Sequence, residues 1–150
     1  MIVANDGNVF DIVDIEIARL GDNADLNHID VSQVTNLDEC FSYSKFNGDI
    51  SKWDVSNVKT ARYMFDNALF NGDISEWKTS KLECMDSMFV ESKFNGDLSK
   101  WDVSNVVSMN DVFSGSDFSG DIVNWKFNER VGVREQMNLG LKTQSKKRCY

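Results

Sequence analysis

Phe46–Phe65 reads FNGDISKWDVSNVKTARYMF, and Phe94–Phe113 reads FNGDLSKWDVSNVVSMNDVF. The two stretches start 48 residues apart and agree at 13 of 20 positions. Between them lies Phe70-Asn71-Gly72-Asp73, and after them Phe118-Ser119-Gly120-Asp121, so the step is 24 residues. Trp53, Trp77, Trp101 and Trp125 keep the same step and account for every tryptophan in the chain. One step further back stands Asp22-Asn23-Ala24-Asp25, with Ile29 in the tryptophan position. This period falls in the range of leucine-rich-repeat solenoids. The expected fold is therefore a repeat solenoid, a leucine-rich-repeat-like α/β coil stack of about five repeats, with coils starting near residues 22, 46, 70, 94 and 118.

Aligned copies turn the sequence into columns. Val31, Val55, Thr79, Val103 and Phe127 follow the tryptophan column two residues on. That alternation predicts a short parallel strand with both columns facing inward. Val34, Val58, Leu82 and Val106 come next, then Cys40, Met64, Met88 and Val112 beside Phe41, Phe65, Phe89 and Phe113. A short helical or 3₁₀ segment is expected around this Met-Phe pair. Phe46, Phe70, Phe94 and Phe118 then lead into a turn formed by Gly48-Asp49, Gly72-Asp73, Gly96-Asp97 and Gly120-Asp121. No single copy can bury these aromatics alone, whereas stacked copies bury them against each other. The aromatic columns thus read as structural core. Burying one Trp or Phe contributes about 2–3 kcal/mol. The first copy has Ala24 at the glycine position, which points to close packing of coils rather than an obligatory positive φ.

Solenoid ends need caps. Residues 1–21 read as an N-terminal cap, with a helix over 9–20, VFDIVDIEIARL, whose apolar face comprises Ile12, Ile15, Ile17 and Leu20. Gly21 follows as its terminator. The repeats occupy 22–127, and residues 128–150 read as a C-terminal cap, with a closing helix over 128–141, and a loose basic tail.

"FNGDISKWDVSNVKTARYMF" and "FNGDLSKWDVSNVVSMNDVF" resemble the repeats of BspA-like leucine-rich-repeat proteins, a bacterial surface-protein repeat also common in mycoplasma lipoproteins. The resemblance covers about residues 22–127, and its W-D-V-S-N-V segment followed by M-F is specific. It extends upstream through EIARLGDNADLNHIDVSQVT, which is similar to the cap and first repeat of short members. The resemblance implies a non-enzymatic protein acting in adhesion or host-factor binding, and surface exposure.

Composition bounds the alternatives. At 150 residues without proline, the chain is one domain of ordinary size or one short solenoid. It has no apolar run long enough to span a membrane, and its start lacks the pattern of a signal peptide. Three cysteines, Cys40, Cys84 and Cys149, lack metal-type spacing, and free thiols fit a reducing cytoplasm. Residues 1–125 hold 22 acidic and 9 basic side chains, and residues 126–150 hold 2 acidic and 7 basic ones. An acidic body repels nucleic acid and membranes, so neither is an expected partner.

The outward columns carry the candidate binding face: Lys52, Asp54 and Ser56, then Glu76, Lys78 and Ser80, then Lys100, Asp102 and Ser104. The third coil reverses both charges. Glu76 is expected between Lys52 and Lys100, and Lys78 between Asp54 and Asp102, each opposite-charge pair contributing about 0.2–1 kcal/mol. Asp38, Arg62 and Asp86 alternate in the same way, as do Lys59 and Glu83. One column does not alternate: Asp25, Asp49, Asp73, Asp97 and Asp121. Stacked about 5 Å apart, each adjacent pair repels by roughly 0.8 kcal/mol even in water. Either each carboxylate accepts the backbone N–H two residues on, in an Asx turn, or a cation sits among them. The turn is the expected reading, with no metal and no cofactor.

His28 is the only histidine, in a column otherwise filled by Lys52, Glu76, Lys100 and Asn124, and it reads as a surface residue. There is no P-loop, dinucleotide fingerprint or zinc spacing, and no convergent acid pair of the glycosidase kind. No catalytic residue is expected. The function expected is a monomeric, non-enzymatic module that binds a protein partner through an exposed solenoid face. The alternatives are an acidic decoy or inhibitor, of the kind a phage or mobile element encodes, filling a basic groove of a host enzyme, and a purely structural or adhesion repeat.

Overall fold

The computed structural model describes residues 1–132, 136 and 139–141. Strand β1 spans Ile2–Val3, helix α1 spans Val9–Leu20, and strand β2 spans Ile29–Asp30. β1 pairs with β2 in parallel, Ile2 opposite Ile29. Residues 1–4 therefore lie alongside the first copy of the repeat, a pairing not anticipated from the sequence.

α1 buries Val9, Val13 and Glu16, and Ile12 and Ile17 pack half-buried against the core. Ile15 and Leu20 face outward, 62% and 44% exposed. The expected apolar face thus holds at Ile12 and Ile17 but is rotated toward Val9 and Val13, because only that stripe meets the first copy. The helix stops at Gly21, whose φ is 95° and whose N–H donates to the Ile17 carbonyl.

From residue 22 onward, each copy lies against the next. The phenyl rings of Phe41, Phe65, Phe89 and Phe113 stack with centroids 5.5, 5.4 and 5.7 Å apart. Phe46, Phe70, Phe94 and Phe118 form a second column at 6.1–6.3 Å. The indole N–H of each tryptophan donates backwards to the preceding copy: Trp53 to the Leu26 carbonyl, Trp77 to Ile50, Trp101 to Ile74, and Trp125 to Leu98. A buried indole needs such an acceptor. Leu26, Ile50, Ile74 and Leu98 themselves form a further buried column, as do Leu37, Ala61, Met85 and Met109.

Two local expectations are corrected. The strand at the Trp-x-Val position is present only as β2. In later copies backbone pairing moves to single parallel bridges, Asn36–Thr60–Cys84–Ser108. At the tryptophan positions side chains link the copies instead, as where the Asn57 amide donates to the Ser32 carbonyl and Asn105 to Ser80. The Met-Phe segment is a chain of turns, not a 3₁₀ helix. Alternate residues close i→i−3 bonds, as from Cys40 to Leu37 and Ser42 to Glu39. The residues between them donate to the next copy: Glu39 to Arg62, Phe41 to Met64, and Tyr43 to Asp66. Continuous helix cannot point those amides sideways.

Left-handed backbone provides that direction. Glu39, Tyr43, Tyr63, Asn67, Ser87, Glu91 and Asp111 all have φ between 51° and 62°. Such a conformation costs a residue with a Cβ roughly 1–2 kcal/mol. In the fourth copy the column of Tyr43, Asn67 and Glu91 is filled by Gly115, at φ 68°. Tyr43 is 73% exposed and loses little packing on truncation. Tyr43→Gly is therefore expected to raise stability by roughly 0.5–1 kcal/mol, after allowing for the greater chain entropy of glycine. Chemical denaturation measures it.

At the C-terminal end Val131 and Leu139 are buried, and the Phe113 N–H donates to the Leu139 carbonyl at 2.8 Å. Gly140, at φ 75°, lies so close that an added Cβ would stand 2.5 Å from the Ser114 nitrogen. The closing helix expected over 128–141 falls partly on residues outside the described ones, where Gln136 N–H to Gly132 C=O is the one helical-type bond among those described. The basic tail, with Cys149, lies outside the described residues.

Candidate functional site

The outward side chains of three consecutive copies come together on one surface. Lys52, Asp54, Glu76, Lys78, Ser80, Lys100, Asp102 and Ser104 are exposed, and Ser56 is half-buried. Between the third and fourth copies a shallow groove of about 190 Å³ runs over Trp77, bordered by Glu76, Lys78, Ser80, Lys100 and Asp102. Its floor is fixed by Thr79, whose hydroxyl donates to the Asp102 carbonyl and accepts from the Asp102 N–H, each at 3.0 Å.

The charges on this face pair less completely than their alternation suggests. Lys100 donates to Glu76. Among the described residues Glu76 forms no ion pair with Lys52, and Lys78 none with Asp54 or Asp102. The carboxylates opposite Lys78 are already engaged: Asp54 Oδ1 accepts from the Ser56 N–H, and Asp102 Oδ1 from the Ser104 N–H, both at 3.0 Å. In the other alternating column Arg62 Nε approaches Asp86 Oδ2 at 3.7 Å, while Asp38 accepts from the Arg62 backbone N–H.

The uniform acidic column is a row of Asx turns. Asp25, Asp49, Asp73, Asp97 and Asp121 each accept the N–H two residues on, at 2.8–2.9 Å. The hydrogen bond to Ser75 outweighs the repulsion from Asp49 and Asp97 and holds the Asp73 carboxyl below the usual range. Asp49 is lowered first by the Ser51 N–H, and Asp97 first by the Ser99 side chain. Beside them runs an asparagine ladder: Asn47 Oδ1 accepts from the Asn71 N–H, Asn71 from Asn95, and Asn95 from Ser119, each at 2.8 Å. The glycines of this edge are not at positive φ. A Cβ on Gly48 would stand 1.9 Å from the Ala24 carbonyl oxygen, so close approach of copies is what requires glycine there. Among the described residues no group of three or more His, Cys, Asp or Glu side chains is placed to hold a metal ion.

His28 faces the capping helix. Its Nε2 lies 2.6 Å from Glu16 Oε2, and Arg19 grips the same carboxylate through Nε and Nη2. The Arg19 hydrogen bond first, and then His28, lower the Glu16 carboxyl to about 2. Its folded pKa lies below the ordinary carboxylate value of about 4.3. The resulting stabilisation is complete above that value and is lost as pH falls toward 2. Asp49, Asp73 and Asp97 act in the same direction. The urea midpoint is expected to fall between about pH 4 and 2, with a shallower fall in Glu16→Gln. Cys40 packs half-buried against the core, and burial pushes its thiol upward, away from reactivity.

Residues 15–125 match the family described as "Mycoplasma protein of unknown function, DUF285", and residues 70–142 match it a second time. The chain belongs to that family. The two overlapping DUF285 matches are what a tandem repeat produces, since one family pattern fits in two registers. The second match reaches residue 142, beyond the last tryptophan. No curated protein and no solved structure matches the chain. No helix among the described residues is long and apolar enough to cross a membrane.

Proposed function

We propose that this DUF285 chain is a non-enzymatic protein-binding module, built as a leucine-rich-repeat-like solenoid of the BspA-like kind. It binds a protein partner through the face carrying Lys52, Asp54, Ser56, Glu76, Lys78, Ser80, Lys100, Asp102 and Ser104. The observation that carries the reading is the groove over Trp77, where Lys78, with no ion pair among the described residues, and the Glu76–Lys100 pair stand on a floor fixed by Thr79. Rigid presentation of variable side chains from successive copies is how repeat proteins recognise partners. Family likeness gives only the class of function, and the exposed residues carry specificity. The chain acts as a monomer without cofactor, in a reducing compartment that suits the free thiols of Cys40 and Cys84.

Affinity capture with the native chain, followed by mass spectrometry, identifies the partner. Glu76→Lys combined with Lys78→Glu is then expected to weaken binding by about tenfold or more, with the thermal melt lowered by only a few degrees, since the exposed Glu76–Lys100 pair is lost. Undiminished capture by that variant removes this face from the reading. A salt series separates the acidic-decoy alternative, whose binding falls steeply with ionic strength, from recognition by shape and apolar contact. The Asx turns favour the latter, since their carboxylates are committed to the chain's own backbone.

A further inference from the structure

Asn47-Gly48, Asn71-Gly72 and Asn95-Gly96 repeat one dipeptide in one setting, with phenylalanine before and aspartate after each time. Asparagine before glycine is a reactive pair, because glycine has no Cβ to shield its amide nitrogen or to restrict its approach to the asparagine side chain. The glycine nitrogen gives its proton to solvent base and attacks the asparagine Cγ. The N–Cγ bond forms, the Cγ–Nδ2 bond breaks, and ammonia leaves. Solvent water then opens the cyclic imide at either carbonyl, which yields aspartate or isoaspartate. All three asparagines are exposed, so water reaches them. In an unfolded chain the three identical tetrapeptides react alike. Any difference among them in the native chain comes from the fold.

The fold does distinguish them. Imide closure turns the side chain onto its own following peptide. Each Oδ1 must then release the N–H of the next copy: that of Asn71 for Asn47, of Asn95 for Asn71, and of Ser119 for Asn95. The backbone around the asparagine must move as well, and there the copies differ. Asn47 and Asp49 donate to the Asp22 and Ala24 carbonyls at 2.7 and 2.9 Å, and the Asp49 carbonyl accepts from the Leu26 N–H at 2.9 Å. Among the described residues no backbone-to-backbone bond holds 70–73 or 94–97. There the asparagine ladder is the hydrogen-bonded tie to the copy before. Packing follows the same order. A Cβ on Gly48 would stand 1.9 Å from the preceding copy's backbone oxygen, against 3.0 Å at Gly72 and 3.6 Å at Gly96. Opening the turn therefore breaks more at Asn47 than at Asn71 or Asn95.

We propose that Asn71 and Asn95 are sites of spontaneous deamidation in the native chain, and that the backbone bonds around Asn47 protect it. The reaction proceeds from the open form of each turn, so its rate follows the population of that form. The two products differ in consequence. Aspartate keeps an oxygen for the next copy's N–H and adds a negative charge beside the aspartate column. Isoaspartate carries the main chain through the side chain and lengthens it by a methylene. At Gly72 that turn has no room, since a Cβ there would stand 2.7 Å from the Phe70 ring. The isoaspartate product does not fit back into the stack. None of this depends on the protein-binding reading.

The test ages the full chain at mildly alkaline pH, where the glycine nitrogen loses its proton more readily. One sample is native and the other is held in guanidinium chloride above its unfolding midpoint. Peptide mapping that resolves aspartate from isoaspartate follows each site. Equal rates at the three sites are expected in denaturant. In the native chain Asn71 and Asn95 are expected to react about tenfold or more faster than Asn47. The thermal midpoint of the aged native chain is expected to fall as isoaspartate accumulates, and to recover when protein isoaspartyl methyltransferase converts it to aspartate. Freshly prepared Asn71→Asp is expected to melt close to the unaltered chain. The proposal is overturned if Asn47 reacts as fast as the other two in the native chain. It is overturned equally by no reaction at Asn71 and Asn95 once the denatured chain has fully converted. An unchanged midpoint with isoaspartate present, or an Asn71→Asp chain that melts as low as the aged one, overturns the assigned consequence of the two products.

Discussion

Trp77→Ala is expected to lower stability by about 3–5 kcal/mol, the range for truncating a fully packed aromatic. Trp77 stacks between Trp53 and Trp101 at 6.5 and 6.2 Å, with interplanar angles of 4° and 13°. Its removal opens a void between three copies and leaves the Ile50 carbonyl without its indole donor. For a domain of this size the thermal midpoint is expected to drop by roughly 10–15 °C. Trp77→Phe keeps most of the apolar contact but loses the hydrogen bond, so an intermediate loss is expected. Trp125→Ala is expected to cost less, since its ring contacts are Phe113 and Phe127 and it has no tryptophan on its far side. A calorimetric series over the three variants reads the order directly. Equal losses at Trp77 and Trp125 would mean that the copies do not depend on their neighbours.

Gly48→Ala carries the second large effect, and its cause is different. The added methyl would meet the Ala24 carbonyl oxygen at 1.9 Å and the Phe46 ring at 2.7 Å. Backbone oxygen cannot move aside without opening the Leu26 N–H to Asp49 C=O and Asp49 N–H to Ala24 C=O bonds, both 2.9 Å, that join the first two copies. Overpacking ordinarily costs about 1–3 kcal/mol, and a clash with backbone belongs at or above the top of that range. At Gly72 the nearest backbone oxygen is 3.0 Å away, and at Gly120 it is 3.5 Å. The expected order of destabilisation is therefore Gly48, then Gly72, then Gly120. If positive φ were the reason for glycine, the three would cost alike. Urea denaturation of the three alanine variants decides between the two causes.

Ala24 already carried that distinction in the sequence. A methyl is tolerated in the first copy, where no earlier carbonyl lies beneath it. The core columns were equally legible, because a fixed 24-residue step compares each position with itself four times over. The Asx turns followed from Ser51, Ser75 and Ser99, two residues after Asp49, Asp73 and Asp97, and from Asn27 after Asp25. The backbone path between the columns was less legible. Burial of Met64 and Phe65 is compatible with helix or turn, and nothing in residue type announces left-handed φ at Tyr43 or Glu91. Strand alternation at Trp53 and Val55 was real as a burial pattern, yet the backbone bonds went to Thr60 instead. The tryptophan indole and the Asn57 amide had satisfied the local carbonyls by side chain.

The ends were hardest to read, since they occur once and have no column. Asp6 looks like any surface acid until its Oδ1 is seen to accept the Thr35 and Asn36 N–H groups, as the Thr35 carbonyl accepts those of Lys59 and Thr60 one copy on. Gly140 looks like a loop glycine until Ser114 closes on it. On the outward face, alternation of sign predicted pairs by spacing alone. Lys100 reached Glu76, but the Asx turns at Asp54 and Asp102 had already fixed the carboxylates that Lys78 was expected to meet. Lys78 therefore has no ion pair among the described residues, which the charge pattern by itself did not suggest.

Stacking of each copy on the next in a 24-residue register underlies the proposed binding face, and one measurement addresses it directly. Through-hydrogen-bond scalar couplings in deuterated protein connect an amide nitrogen to the carbonyl carbon that accepts it. Couplings are expected from Phe41 N to Met64 C=O, from Phe65 N to Met88 C=O, and from Phe89 N to Val112 C=O. Their observation at all three places fixes the register of four successive copies. Coupling of these amides to carbonyls within their own copy, in a helical i→i−4 pattern, would contradict the stack.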